Sequence, residues 1–140
     1  HGTKHSFPTR RSSDLPGCGP LGGIYTALKT VETRQIFVFA ADMPNLNGRF
    51  ISHMISVSND HDIVIPVWSQ GREPLHAVYH RRILPVVKTL LDEDLFKIFN
   101  LLSRVDTRTI PEEDIRKFGM PDKMFANINT LHDIKDVVRQ

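Results

Sequence analysis

The stretch that decides the fold of this chain runs Ile36-Phe37-Val38-Phe39-Ala40-Ala41-Asp42-Met43-Pro44. Six consecutive apolar residues are typical of a strand that is covered on both faces. The aspartate that follows lies at the carboxyl end of this strand, where open α/β sheets bind their ligands. The stretch therefore predicts an α/β fold with a ligand site that includes Asp42.

Further strands and helices alternate on both sides of this stretch. Helical spacing of apolar residues predicts helices over Leu21–Glu32, Gly48–Val57, Arg82–Asp92, Leu95–Arg104 and Leu131–Val138. Strands are predicted over Asp62–Val67, Leu75–Tyr79 and Val105–Ile110, with a short extended segment at Phe125–Asn129. Asn47 is placed to cap the second helix. The alternation favours a single domain with a mostly parallel sheet.

The first 15 residues differ from the rest of the chain. His5–Leu15 has no helical or strand periodicity and resembles one translated reading frame of a common sequencing-adapter oligonucleotide. A signal peptide would need an apolar segment, and a transit peptide would be amphipathic. We interpret residues 1–15 as an artefactual, disordered leader and residues 16–140 as one domain.

Charge and composition exclude several classes of protein. The leader holds three of the 18 basic residues and one of the 16 acidic residues, so residues 16–140 carry 15 of each. The overall charge of +2 is therefore no sign of nucleic-acid or membrane binding. A single cysteine fits a reducing compartment, and no run of 18 apolar residues could span a membrane. We expect a cytoplasmic protein with no nucleic-acid or membrane partner.

A glycine-rich loop precedes the first predicted helix. Gly17, Gly19 and Gly22 satisfy the pattern G-x-G-x-x-G, and Asp42 falls 20 residues beyond Gly22, which is the spacing of the dinucleotide-binding fingerprint. That fingerprint also needs a strand that ends at its first glycine, and the leader stands there. A structural turn would use the same glycines for positive φ and close packing. The loop and the aspartate together favour a nucleotide site.

Two groups of polar side chains are further candidates for ligand contacts. Basic side chains surround the Leu75–Tyr79 strand and are either an anion-binding cluster or a solvated face: Arg72, His76, His80, Arg81 and Arg82. Asn127 and Asn129 project to one side of an extended segment. Their amides could recognise a base edge, a sugar or a pterin ring, or they could cap the last helix. For Asp42 the choice lies between a Mg²⁺ ligand and a turn residue.

These motifs, in this order, resemble the molybdenum cofactor guanylyltransferase family. The matching stretches are Gly19–Ile24, Ala41–Pro44, Pro74–Arg81 and Phe125–Thr130. The resemblance implies a Rossmann-like nucleotidyltransferase fold, a three-layer sandwich. It also implies transfer of GMP from Mg-GTP to molybdenum-molybdopterin with release of pyrophosphate. Transient contact with molybdoenzyme maturation proteins is a further implied partnership.

The resemblance also implies roles for individual residues. Asp42 would bind Mg²⁺ and contact GTP, and the nucleotide site would include the loop Gly19, Pro20, Leu21, Gly22 and Gly23. The pterin substrate would lie against Asn127, Asn129 and Thr130, and we assign Arg72 and Arg81 to the same substrate.

The chain departs from the family pattern at its start. The family opens with a strand, a Leu-Ala-Gly-Gly loop, an Arg-Met-Gly stretch and an Asp-Lys pair, and none of these precedes Pro16. We therefore expect the C-terminal two-thirds of a full domain, lacking its N-terminal strand-loop-helix portion, and expect it to be inactive and marginally folded as written. A molybdopterin cytidylyltransferase or another sugar or cofactor nucleotidyltransferase is the nearest alternative. A dehydrogenase-like dinucleotide-binding domain and a non-catalytic nucleotide-binding module remain open.

Overall fold

The computed structural model describes residues 17–126. In this part the helices are α1 (Gly19–Thr30), α2 (Gly48–Ser56), α3 (Leu84–Asp92), α4 (Ile98–Leu102), α5 (Glu112–Ile115) and α6 (Pro121–Met124). The strands are β1 (Gln35–Phe39), β2 (Ile63–Trp68), β3 (Gly71–Arg72), β4 (His76–His80) and β5 (Thr107–Ile110). A 3₁₀ turn at Arg81–Ile83 leads into α3. None of the helices within residues 17–126 is both long and apolar enough to cross a membrane.

The four longer strands lie side by side in the order β1, β4, β2, β5, and β3 pairs with the end of β2. β4 is antiparallel to both of its neighbours, whereas β5 is parallel to β2. Three of these four strands therefore point the same way, and β4 runs against them. The reversal follows from chain length, because the seven residues between β2 and β4 are too few for the crossover that parallel neighbours need.

Helices cover both faces of the sheet, which confirms the α/β fold and its three layers. On one face α1, α3 and α4 pack against Ile36, Ile63, Ile65, Ala77 and Tyr79. On the other face α2, α5 and α6 pack against Phe37, Val64, Val78 and Ile110. Successive residues of each strand pack into the hydrophobic clusters on opposite faces of the sheet, as the period of two along a strand requires.

The helix predicted over Leu95–Arg104 is shorter, and α4 begins only at Ile98. Leu95 donates its N–H to the Leu90 carbonyl at 2.9 Å and so closes the end of α3 instead of starting a new helix. Asp94, at φ 58°, makes the reversal between them. The predicted cap of α2 is confirmed, because the Asn47 side chain accepts a hydrogen bond from the Phe50 N–H at 2.9 Å.

Other predicted segments lie outside the described residues. These are the leader at residues 1–15, the helix over Leu131–Val138 and most of the extended segment that begins at Phe125. β3, α5 and α6 were not predicted, since elements of two to four residues are too short to show a period.

Candidate active site

Asp42 lies at the edge of the sheet where β1, β2 and β5 end and β4 begins, hereafter the carboxyl edge. The β1 ladder continues for one more hydrogen bond, from the Ala40 N–H to the Leu75 carbonyl at 3.0 Å. A bond from the Met43 N–H to the Ala40 carbonyl, at 3.1 Å, then closes a turn. Met43 is buried beneath this turn and Asp42 is exposed on it. The Asp42 carboxylate forms no hydrogen bond or ion pair with another residue of the described part, so it is available to a ligand.

The amino end of α1 returns to the same edge. A connection of four residues joins α1 to β1, so the helix runs back along the strand and starts near the point where β1 ends. Gly17 (φ 82°) and Gly19 (φ 61°) both have positive φ, and a Cβ at either position would meet no atom within 4 Å. The glycines are thus required by backbone conformation, which other residues adopt only with strain.

The glycine loop exposes backbone more than side chains. Gly19 is exposed, whereas Leu21 and Gly22 are buried against the core. Cys18 precedes the helix and makes no side-chain cap hydrogen bond. Pro20 has no N–H and the Gly22 N–H donates to the Cys18 carbonyl at 3.4 Å, so an anion at this helix amino end, a position that favours anions, would be met by the N–H groups of Gly19 and Leu21.

The hairpin of β2 and β3 contributes two more charged side chains to the carboxyl edge. Arg72 is exposed and makes no ion pair within residues 17–126. Glu73 is half-buried, and its Oε2 accepts a hydrogen bond from Trp68 Nε1 at 2.8 Å. Burial raises the pKa of the Glu73 carboxyl above its ordinary value, although the Trp68 hydrogen bond acts in the opposite direction. Our sequence analysis did not identify Glu73.

The strand register relates Glu73 to Asp42. Phe39 of β1 stands opposite His76 of β4, and the pairing extends to Ala40 and Leu75. Asp42 follows Ala40 by two residues and Glu73 precedes Leu75 by two, so both residues leave the same antiparallel ladder at the same edge. This register was the signal that could have identified Glu73 once the pairing was known.

His76 is not part of a basic surface. The side chain is fully buried, and neither ring nitrogen has a hydrogen-bond partner among the described residues. Its ring lies 5.2 Å from that of Phe37, 6.0 Å from that of Phe50 and 5.0 Å from that of Phe125, between ring centres. Burial lowers the pKa of His76 to about 4, so the ring is neutral near pH 7.

The structure does not bring Arg81 to Asp42. Arg81 follows the far end of β4, which is about 16 Å from the carboxyl edge for a strand of this length. There its guanidinium donates to the Val31 carbonyl at 2.7 Å, and its own N–H donates to the Arg34 carbonyl at 2.8 Å. Arg82 at the same end pairs with Asp62. The predicted basic cluster is thus divided between opposite edges of the sheet.

Asn127, Asn129 and Thr130 lie outside the described residues. The described chain ends close to the carboxyl edge, because Phe125 packs against His76 and against Trp68, whose ring centre is 5.7 Å from that of Phe125.

A cavity of about 420 Å³ lies beside the Asp42 turn. Its walls are formed by Pro44, Asn45, Leu46, Asn47, Gly119, Met120, Lys123 and Met124. Asn45 Nδ2 donates to the Lys123 carbonyl at 3.1 Å, and Asn47 Nδ2 donates to the Phe118 carbonyl at 2.9 Å, so two amides join the walls. The cavity is open to solvent and begins at Pro44, two residues beyond Asp42.

No group of three or more His, Cys, Asp or Glu side chains is arranged to hold a metal ion in residues 17–126. A cation at Asp42 would then need further oxygen ligands from a bound phosphate or from water, which is common for Mg²⁺.

The family model described as "MobA-like NTP transferase domain" matches residues 5–107. The chain belongs to this family. The match begins at residue 5 and therefore includes most of the segment that we interpreted as a leader. It also includes the glycine loop, Asp42 and the β2–β3 hairpin.

Individual members of the family agree with this result. A probable molybdenum cofactor guanylyltransferase of Peptoclostridium acidaminophilum is 31% identical over 131 residues, which cover 89% of this chain and 59% of that protein. One of Bacillus velezensis is 36% identical over 118 residues, with 84% and 58% covered. The crystal structure of molybdopterin-guanine dinucleotide biosynthesis protein A from Archaeoglobus fulgidus has a TM-score of 0.71 and 28% identity, with 84% and 60% covered. The chain thus spans about three-fifths of the length of these relatives.

Proposed function

We propose that the protein transfers GMP from GTP to molybdenum-molybdopterin and releases pyrophosphate, as one step in the synthesis of the molybdenum cofactor. The observation that carries the proposal is that the amino end of α1, which begins at Gly19, and the exposed Asp42 both lie at the carboxyl edge in a chain of this family. The names of the relatives support the choice of substrates.

Asp42 is the proposed Mg²⁺ ligand and catalytic carboxylate. A carboxylate oxygen is the donor type that Mg²⁺ prefers, and this one is exposed and has no partner within the described part. Bound Mg²⁺ would supply positive charge to the phosphate oxygens of the nucleotide.

The remaining assignments follow the geometry of the carboxyl edge. The N–H groups of the first turn of α1 would contact nucleotide phosphate, and the nucleotide-binding segment is Gly19, Pro20, Leu21, Gly22 and Gly23. Leu21 and Gly22 would act through backbone and packing, because they are buried. Arg72 would meet the acceptor phosphate. We leave Arg81 out of the proposed site because it is held at the opposite edge.

The pterin contacts Asn127, Asn129 and Thr130 stay proposals, as do a cytoplasmic location and hand-over of the product to molybdoenzyme maturation proteins. In the reaction an oxygen of the molybdopterin phosphate attacks the α-phosphorus of GTP, the bond from that phosphorus to the bridging oxygen breaks, and pyrophosphate leaves. The chain contributes positioning and charge stabilisation, which can supply most of the rate acceleration in such transfers.

The test measures formation of the dinucleotide cofactor by chromatography. It uses the protein encoded by the complete reading frame that contains this sequence. We expect product with Mg-GTP, and a loss of at least about 100-fold in Asp42→Asn, the scale seen when one charge-stabilising group is removed. Asp60→Asn, which changes an exposed aspartate before β2, should retain activity.

Other outcomes identify the alternatives. Product formed only from CTP would identify a cytidylyltransferase, and GTP binding without any product would indicate a non-catalytic module. Unchanged activity in Asp42→Asn would reject the role given to this residue.

A further inference from the structure

We propose that Glu73 is a specificity-determining residue whose carboxylate recognises the 2-amino-4-oxopyrimidine edge that guanine and pterins share. The inference rests on the proposed function, since it concerns the substrates of that reaction. The supporting observations are the set of hydrogen bonds that fix this carboxylate and the lack of a donor to its second oxygen within residues 17–126.

Glu73 is fixed at three points. Its N–H donates to the Pro66 carbonyl at 3.0 Å, and its carbonyl accepts the His76 N–H at 3.1 Å. Its carboxylate accepts the Trp68 indole N–H at 2.8 Å. The Trp68 ring in turn packs against Phe125. A group held in this way loses little conformational freedom when it binds a ligand.

The carboxylate is nonetheless incompletely satisfied. It forms no ion pair within residues 17–126, and Oε1 has no hydrogen-bond donor there. A half-buried carboxylate with a single neutral donor is unfavourable, because burial removes water that the second oxygen would bind. The group is therefore suited to a ligand that presents N–H donors.

Glu112 provides a contrast at the same edge of the sheet. Its Oε1 accepts the Ser69 N–H at 3.0 Å, and its Oε2 accepts both Nε (3.0 Å) and Nη2 (2.7 Å) of Arg116. Both oxygens of Glu112 are thus occupied by the protein, whereas one oxygen of Glu73 is left open.

The chemistry of the substrates matches this open carboxylate. Guanine and pterin each carry an exocyclic amino group beside a ring N–H, two donors on one edge of a flat ring. A carboxylate offers two acceptors in a plane and makes charge-assisted bonds to such a pair. Because Glu73 and Asp42 leave the same strand pair at the carboxyl edge, a ring held by Glu73 would lie on the same side of the sheet as the phosphates at Asp42.

The experiment uses the protein encoded by the complete reading frame and four probes in two matched pairs. Pterin is compared with lumazine, which has an oxo group in place of the 2-amino group, and GTP is compared with ITP, which lacks that group. Binding is followed by calorimetry. The variants are Glu73→Gln, whose amide oxygen can still accept from Trp68, and Glu112→Gln as the matched control. Thermal unfolding verifies that both are folded.

We expect Glu73→Gln to weaken binding of the amino-bearing probe by about ten-fold or more, as loss of a charged hydrogen-bond partner does. Binding of lumazine and ITP should change less than binding of the amino-bearing probes, because they lack the 2-amino donor and keep only ring N–H groups. An effect on pterin alone assigns Glu73 to the pterin substrate, and an effect on GTP alone assigns it to the nucleotide.

Equal affinity of wild type and Glu73→Gln for both amino-bearing probes would overturn the proposal, and so would failure of both amino-bearing probes to bind. A purely structural role would move all four probes together. These measurements involve no transfer step, so failure of the proposed function, seen as no product in the reaction assay, is distinguishable from failure here.

Discussion

Replacing His76 with leucine tests whether a neutral histidine is enclosed in the core beneath the carboxyl edge. In the folded chain the ring is fully buried among aromatic side chains and its pKa is lowered to about 4 from the ordinary 6.5. At acidic pH the unfolded chain therefore binds a proton that the folded chain excludes. The free energy of unfolding should fall as pH drops below 6.5 and stop falling below 4.

The size of this effect follows from the two pKa values. Relative to pH 7 or above, the contribution of His76 to the free energy of unfolding falls by about 1 kcal/mol at pH 6, about 2 at pH 5 and about 3 at pH 4. His76→Leu removes this term and both unpaired nitrogens, and leucine is of similar size, so the packing change is small. At pH 7 we expect the variant to be at least as stable as the wild type.

The assay is urea unfolding followed by Trp68 fluorescence between pH 7 and pH 4.5. Glu73 and Asp62 also have shifted pKa values, raised and lowered respectively. Both groups are present in the wild type and in His76→Leu, so their contributions cancel when the wild-type free energy of unfolding is subtracted from that of the variant. As the pH falls from 7 to 5, the free energy of unfolding of the variant should increase by about 2 kcal/mol relative to that of the wild type.

The matched control is His53→Leu. His53 also contacts an aromatic ring, that of Phe118 at 5.0 Å, but it is partly exposed to solvent. Its replacement should leave the contribution of His76 to the pH dependence in place. A His76→Leu difference that stays constant to within about 0.5 kcal/mol from pH 7 to pH 4.5 would refute the reasoning, since the linked proton would then be absent.

Two further predictions concern the stability of the fold around the site. Asp62 accepts hydrogen bonds from Arg82 and from the Asp106 N–H. Asp62→Ala should lower the free energy of unfolding at pH 7 by about 1 kcal/mol in urea titrations, the net worth of such exposed hydrogen bonds. Burial raises the pKa of Asp62, but the hydrogen bonds from Arg82 and Asp106 lower it overall. The stability that Asp62 contributes should therefore disappear as the wild type is taken below pH 3.8. An Asp62→Ala variant as stable as the wild type at pH 7 would contradict this prediction. Gly19→Ala should lower the free energy of unfolding by about 1 kcal/mol or more because Gly19 has a positive φ. Gly48 has no positive φ, so Gly48→Ala should leave the free energy of unfolding unchanged. Equal melting temperatures for the two variants would show that φ is not the constraint.

The main elements of the fold could be predicted from the sequence because the buried strands are uninterrupted apolar runs. The strand predicted within Ile36–Ala41 appears as β1 over Gln35–Phe39, and Asp42 follows it at the expected edge. The cap at Asn47 could be predicted because its signal is local. Each of these features depends on residues that are adjacent in the chain.

Features that depend on distant residues could not be predicted in this way. Arg81 and Arg72 are close in sequence, yet β4 places them at opposite edges of the sheet. Between the predicted strands Asp62–Val67 and Leu75–Tyr79 the chain forms a hairpin, in which Gly71, at φ 110°, pairs with Trp68. The segment of chain between the two strands is short, which favours an antiparallel pair and is enough to predict the direction of β4.

The two carboxylates that leave the β1–β4 ladder differ in environment, and the difference suits them to different ligands. Asp42 is exposed on a turn, where a hydrated cation and phosphate oxygens can reach it without loss of protein hydrogen bonds. Glu73 is half-buried beside an indole and has no cationic partner within residues 17–126, so an uncharged ring with paired N–H donors suits it better than a strongly hydrated metal ion does. If this edge binds a triphosphate and a flat heterocycle, as we propose, each carboxylate suits one of the two ligands. The register of a single strand pair brings both carboxylates to this edge, so the proposed site depends on the pairing of β1 with β4.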